Sequence, residues 1–350
     1  MKRRLLLILP PIIIAVLLLF VFLQSSVPTQ LKPAEPKTLI VPDNFQTIGS
    51  AIAIATEGDT ILVREGDYSE ILTIDKSVTL IGENKEATVI RGQGDLTVVS
   101  IVRDGVYISG FTVTTGEKSP KFVSQSSLAQ VPYAIALANV SYCNITANSL
   151  VNSSCGLLLS NSPLNWISEN NMEGNGYGIV LTDSSEDNQI VGNNVTQNKI
   201  GVALYGCRNN SLSGNYITGS ERSGILMRNS ELNKIARNAV ANNTYGVLFS
   251  VSSNNHIHHN NFIENQNQTD DEGLNASGLP NSIPFSVNVW IDGVEGNYWS
   301  DYNGTESYGF EFKPYIIDQN NQDAYPLIEP ARIFMSKNSS TALPWPKDFP

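Results

Sequence analysis

Apolar and polar positions along this chain recur with a period of 22 or 23 residues. An asparagine returns at Asn148, Asn170, Asn193, Asn215, Asn238 and Asn260. Three residues before each stands Ile145, Ile167, Ile190, Leu212, Ile235 or Ile257, and two residues after each stands Leu150, Met172, Val195, Ile217, Val240 or Phe262. A small residue followed by three apolar ones opens each unit, at Ala134, Gly156, Gly178, Gly201, Gly224 and Gly246. Repetition at a fixed period marks a solenoid, and helical repeats need ~33 residues or more to hold two helices. The shorter unit therefore predicts three short strands and three turns, which is one coil of a parallel β-helix. Strands of successive coils would pair ~4.8 Å apart, and the handedness of parallel crossovers favours a right-handed coil.

Weaker coils flank the clear ones. Ile61 to Val63, Val78 to Gly82 and Val98 to Val102 are apolar strand runs. Ile108-Ser-Gly-Phe-Thr-Val113 aligns with Ile190-Val-Gly-Asn-Asn-Val195, which puts Phe111 in the asparagine row. Val294-Glu-Gly-Asn-Tyr-Trp299 aligns with Leu212-Ser-Gly-Asn-Tyr-Ile217. The expected fold is all-β: a right-handed, single-stranded parallel β-helix of roughly nine to ten coils. Its start is capped by a short helix, with Asp43 as N-cap, Gln46 three residues on, and Ile48, Ile52 and Ala55 at helical spacing before Gly58. The segment from Trp299 to Ile328 would close the other end. A second row, Asn165, Asn188, Asn210, Asn233 and Asn255 with Cys143 in the first coil, repeats the turn chemistry. Asparagine tolerates left-handed backbone angles, and stacked amides can bond from coil to coil.

The N-terminus has a different pattern. Met-Lys-Arg-Arg precedes an uncharged run from Leu5 to Leu23, long enough to span a bilayer or to form a signal-peptide core. Residues 1–26 are thus expected to be a signal peptide or a transmembrane anchor, with the basic end in the cytoplasm. Residues 27–37 form a proline-bearing linker, 38–330 the β-helix domain, and 331–350 a flexible tail. This organisation places the chain outside the cytoplasm, at a cell surface or periplasm-equivalent, anchored by its membrane segment or secreted. A net charge of −11 and a sequence pI of about 4.8, with no basic stripe, argue against nucleic acid. Cys143, Cys155 and Cys207 fall in different columns of the repeat, too far apart for a disulfide. Asn-x-Ser/Thr sequons such as Asn139, Asn152, Asn209 and Asn242 admit glycosylation.

Val41-Pro-Asp-Asn-Phe-Gln-Thr-Ile-Gly-Ser-Ala-Ile52, Gly58-Asp-Thr-Ile-Leu-Val63 and Ser77-Val-Thr-Leu-Ile-Gly82 resemble the opening of the NosD-like branch of parallel β-helix proteins. Gly296-Asn-Tyr-Trp-Ser-Asp-Tyr302, Pro314-Tyr-Ile-Ile-Asp318, Asn321-Gln-Asp323 and Tyr325-Pro-Leu327 are similar to its closing signature, common in archaeal surface proteins. The branch belongs to the wider class of carbohydrate-binding and sugar-hydrolase β-helices. The resemblance covers about residues 38 to 330. It implies copper as the cofactor, because the family's namesake serves copper delivery outside the cytoplasm.

Three constellations can carry chemistry. His256 and His258 flank Ile257 and should point outward together, a spacing that can bring two imidazoles onto one copper or zinc ion. Asp183, Tyr205, Arg208, Arg228 and Glu231 share neighbouring columns; Arg208 and Glu231 read first as an exposed ion pair. No paired carboxylates of glycosidase type stand out, so catalysis is expected less than binding. Two insertions of 15 residues, within Gly116 to Pro132 and within Gln266 to Pro284, would leave one edge of the stack and wall a trough. Its floor would be Glu173, Asn175, Tyr177, Gln197, Asn198, Asn242 and Tyr245, which suits a glycan. The central residues of the apolar triplets, Ala136, Leu158, Val180, Ala203, Leu226 and Leu248, should form an outward apolar stripe, covered by Pro314 to Phe334 or by a protein partner. The primary functional expectation is a membrane-anchored binding or scaffold module for carbohydrate or cell-envelope components. A NosD-like copper-handling accessory protein and a carbohydrate-active lyase or hydrolase are the alternatives.

Overall fold

The computed structural model describes residues 35–93, 95–116, 128, 131–272, 285–304 and 313–333. The expected signal or anchor segment, all but the last three residues of the linker, and residues 334–350 of the tail lie outside the described residues. Among the described residues no helix is long and apolar enough to cross a membrane. The expected partnership with a membrane rests on residues 1–26, which lie outside the described residues, and is not carried forward.

The chain winds into a right-handed parallel β-helix whose three sheets hold ten, nine and ten strands. One coil runs through Asn144–Thr146 on face 1, Ser149–Val151 on face 2 and Cys155–Ser160 on face 3, and returns to face 1 at Trp166–Ser168. Register is residue for residue: Ile145 sits on Ile167, and Ile167 on Ile190. Alternation along each strand sends those isoleucines inward, where they are fully buried together with Leu150, Met172, Val195 and Ile217. Each such side chain contributes about 1.5–3 kcal/mol relative to an exposed one.

The corners are tight enough to force left-handed backbone. Between faces 1 and 2 positive φ recurs at Ala147, Glu169, Gly192, Gly214, Arg237 and His259. The asparagine that follows each holds the corner. The Asn193 backbone N–H donates to Asn215 Oδ1 at 2.9 Å, and the Asn215 N–H donates to Asn238 Oδ1 at 3.0 Å. Asn215 Nδ2 donates to the Ile190 carbonyl at 2.8 Å and to Asn238 Oδ1 at 2.9 Å. The row begins at the Phe111 N–H and continues through Asn260 to Asn297. The second asparagine row does the same from the Cys143 N–H through Asn255 to Asn288. Asn215→Leu is accordingly expected to cost about 1–3 kcal/mol by stranding these partners. The exposed Asn267→Ala should cost under about 0.5 kcal/mol. Denaturant melts that shift equally for both would refute the ladder's role.

Both ends are covered. At the start, Ile48–Ile54 is a helix that buries Ile48, Ala51 and Ile52. Its N-cap is Thr47, not Asp43: Thr47 and Ser50 form the capping box, while Asp43 pairs with Arg64 at 3.2 Å. At the other end Trp299 is sandwiched between Phe262 at 4.5 Å and Tyr315 at 4.3 Å, ring centroid to centroid. Asn321 and Asp323 then terminate the two asparagine rows, accepting from the N–H of Asn288 at 2.9 Å and of Asn297 at 2.6 Å. The three cysteines are buried, unbridged thiols.

The two insertions do not leave one edge. The first departs after Gly116, between faces 2 and 3, because Thr112–Thr114 precedes it and Tyr133–Ala138 follows. The second departs after the face-3 strand Asn267–Asp271 and rejoins the turn towards face 1 at Ser286 and Asn288. The expected trough between two walls is not formed. Its supposed floor also divides: Asn175, Tyr177 and Asn198 are buried, Glu173, Gln197 and Asn242 are exposed, and Tyr245 is half-buried.

The apolar stripe is likewise no bare surface. Val180, Ala203, Leu226 and Leu248 are buried, and Leu158 is half-buried. Tyr133, Tyr177 and Tyr205 pack over them with Leu128, Val131 and Tyr245. Side chains from the two ends of the face-3 strands meet above the stripe, where the hydroxyls of Tyr177 and Tyr205 lie 3.4 Å apart. The expected protein partner on Leu158, Val180, Leu226 and Leu248 therefore has no apolar face to occupy. The segment around Tyr315 and Ile317 packs against the main core instead.

Candidate metal centre

The second insertion is split. Asn255 to Asn288 takes 33 residues where the preceding step took 22. The rest of the excess falls between Asn288 and Asn297, around Asp292 to Glu295, in the turn from face 1 to face 2. That turn lies beside the strand His256–His258 and the corner residue His259. The His259 N–H is held by the Gly296 carbonyl at 2.6 Å.

Four side chains meet there. His258 Nδ1 and His259 Nδ1 lie 2.9 Å apart, Asp292 Oδ2 lies 3.8 Å from His259 Nδ1, and Glu295 Oε2 lies 3.0 Å from His259 Nε2. One proton arrangement satisfies the two histidine contacts: His259 Nε2–H donates to Glu295, and His258 Nδ1–H donates to His259 Nδ1. The group of His258, His259 and Asp292 offers one ligand atom each, all within 4.8 Å of one another. Among the described residues it is the one such group.

The electrostatics favour ligation. Burial pushes the His258 imidazole down to about 4, and His259 and Lys234 add to the shift through their charge. It is therefore neutral at ordinary pH, the form that binds a metal. The backbone N–H groups of Glu295 and Val294 hold the Asp292 carboxyl below its usual range. Glu295 on the far nitrogen of His259 fixes the ring's orientation, as outer carboxylates do in histidine metal sites. Two imidazoles and a carboxylate suit copper(II) or zinc.

The expected pair of His256 and His258 is only half present. His258 is in the cluster; His256 is exposed and its backbone bridges to Val289. His259 and Asp292 join His258 in the cluster in its place, with Glu295 on the far nitrogen of His259. A sequence signal for them existed. Ser286-Val-Asn288-Val-Trp290 repeats the turn-and-strand pattern of Ser252 to Ile257, and marking that row leaves Asp292 to Glu295 as a separate loop at the corner of His259. Elsewhere Arg208 and Glu231 form the expected exposed pair at 2.7 Å, with Glu186 at 3.6 Å from the same guanidinium.

A family model for the periplasmic copper-binding protein NosD matches residues 86–304, more than half of the chain. The chain belongs to the NosD family. It is 29% identical over 121 residues to a cell surface glycoprotein of Methanothermus fervidus, covering 34% of this chain and 18% of that protein. The Dettilon tailspike protein matches in structure with a TM-score of 0.53 at 13% identity, over 64% of this chain and 50% of the tailspike. The A-module of the Azotobacter vinelandii mannuronan C-5 epimerase AlgE4 matches with a TM-score of 0.44 at 15% identity, over 71% of this chain and 80% of the module. This NosD-family chain thus spans about half of the tailspike and under a fifth of the glycoprotein. The similar structures also include ones named as a pectin methylesterase and a periplasmic alginate epimerase, and the expectation that binding outweighs catalysis is not carried forward.

Proposed function

We propose that this NosD-family protein handles a metal ion outside the cytoplasm, with copper as its cargo and His258, His259 and Asp292 as its ligands. The observation that carries the reading is the convergence of two imidazole Nδ1 atoms and a carboxylate at one corner of the stack. Support comes from the family description, which names periplasmic copper binding, and from the donor set, which favours copper(II) over zinc at equal geometry. A bound ion would supply positive charge and, as copper, a one-electron couple. Glu295 orients His259, and Asp292 is kept ionised by the amides of its own turn. This reading takes precedence over an envelope scaffold because it rests on a formed cluster, whereas the trough that would have held a glycan is missing.

Titration calorimetry with copper(II) and zinc tests it. His258→Ala combined with His259→Ala is expected to weaken copper binding by about 100-fold or more, and Glu295→Gln by about 10-fold. His256→Ala should leave affinity unchanged. Copper binding that survives the double substitution, or that falls equally with His256→Ala, would remove the site.

A further inference from the structure

The covered stripe on face 3 ends in a second polar cluster, away from the metal corner. Arg222 and Arg228 stand at opposite ends of one strand, with Arg222 just before Ser223–Arg228, and both reach the carboxylate of Glu272. Arg222 Nη2 lies 2.5 Å from Oε1; Arg228 Nη2 lies 2.7 Å from Oε1 and 2.6 Å from Oε2. Glu272 is placed by register, since its N–H still donates to the Phe249 carbonyl at 2.8 Å. One carboxylate thus receives two guanidinium groups. Arg228 does not use its planar fork on it: both bonds come from Nη2, and its Nε is buried with no acceptor. A carboxylate that met the fork squarely would take Nε and Nη2 together, the bidentate geometry for which arginine is suited.

The surroundings fit a sugar ring. Ser250 lies in register with Arg228, and Tyr245 is half-buried one coil from Ser223. Ser223 Oγ is buried without a partner. A part-exposed aromatic ring beside hydroxyls matches the mixed C–H and O–H surface of a saccharide. The three charged side chains are each about a quarter to a third exposed, so a ligand can reach them: 36% for Arg222, 27% for Arg228 and 26% for Glu272.

We propose that Arg222 and Arg228 form a receptor for the carboxylate of an acidic sugar, and that Glu272 occupies that place in the free protein. The ligand displaces an internal carboxylate, so Glu272 sets the threshold for binding. The site uses no residue of the metal cluster.

Calorimetric titration of the full chain with galacturonate, an oligogalacturonide and neutral cellohexaose tests this. Glu272→Gln is expected to tighten binding of the acidic saccharides by about 10-fold, and Arg228→Ala to weaken it by about 10-fold or more. Arg228→Lys keeps the charge without the fork and should weaken binding in the same direction. Arg208→Ala, in an exposed pair in the turn beyond the strand with no contact to Glu272, should change nothing. Oligomer binding tighter than monomer identifies a chain as the source of the carboxylate; equal binding identifies a free sugar acid. Cellohexaose binding as well as the acids, or no acidic saccharide binding to either wild type or Glu272→Gln, overturns the proposal.

Discussion

Asp323→Ala is expected to destabilise the protein by about 3–5 kcal/mol, because it strands several buried donors at once. The residue is fully buried. Its Oδ2 accepts from the Asn297 N–H at 2.6 Å and from Trp299 Nε1–H at 3.0 Å, and its Oδ1 accepts from the Tyr325 N–H at 3.1 Å. It is the last rung of the row that begins at Asn148. Asp323→Asn keeps one carbonyl oxygen, as every rung above it does, and should cost only about 1–2 kcal/mol. Loss at the end of a solenoid is local first. Hydrogen exchange should therefore accelerate at Tyr298 and Asn261 before it does at Asn193. The effect also depends on pH. Burial raises the Asp323 pKa, outweighing the donors that favour its ionised form. A carboxyl raised on folding helps most when protonated, below its unfolded value, and that help fades as pH rises through its folded value. Wild type should then exceed Asp323→Asn in stability by more at pH ~4 than at pH ~7. If Asp323→Ala proves as mild as Glu231→Ala at the surface, the closing segment is not held through this rung.

The repeat was legible because a solenoid core admits only one arrangement: apolar residues at fixed spacing must stack, and Ile145 to Ile257 do. The corners were legible for the same reason, since positive φ and a coil-to-coil acceptor select asparagine. What misled lay where backbone leaves that frame. Parity along face 3 placed Val180 and Leu226 outward, correctly, but gave no sign that Tyr177 and Tyr205 would fold over them from both strand ends. Parity also paired His256 with His258. The partner is instead His259, whose left-handed corner conformation (φ 56°) turns its ring towards His258. Asp43 offered a good N-cap by type, yet Thr47 is the residue with extended backbone at the helix start. The second insertion was read as one loop because an interval of 37 residues hides its own interior rung at Asn288.

Gly201→Val is expected to cost about 3 kcal/mol or more, enough to prevent folding if stability is modest. Gly201 is the second residue of its face-3 strand, in a column with Gly156, Gly178, Gly224 and Gly246. Its backbone is not left-handed, so the requirement is space. A Cβ there would meet the Gly224 carbonyl oxygen at 2.5 Å and Ile217 Cγ2 at 2.7 Å. A carbonyl in a parallel ladder cannot turn aside as a side chain can. Relief would require separating two coils, which would stretch the asparagine row on one side and uncover the tyrosines on the other. Gly192 provides the contrast. It has positive φ, but a Cβ there meets nothing within 4 Å, and its column already accepts Ala147, Glu169, Arg237 and His259. Gly192→Ala should cost only about 1–2 kcal/mol of backbone strain. Urea denaturation of the two variants separates the cases, and equal midpoints would mean that the coils are loose enough to part at the glycine column. The same close approach of coils fixes the spacing of the face-3 strands whose end residues form the arginine cluster. Gly201→Val should therefore disturb the Arg222–Glu272–Arg228 cluster even in whatever fraction folds, while Gly192→Ala leaves it intact.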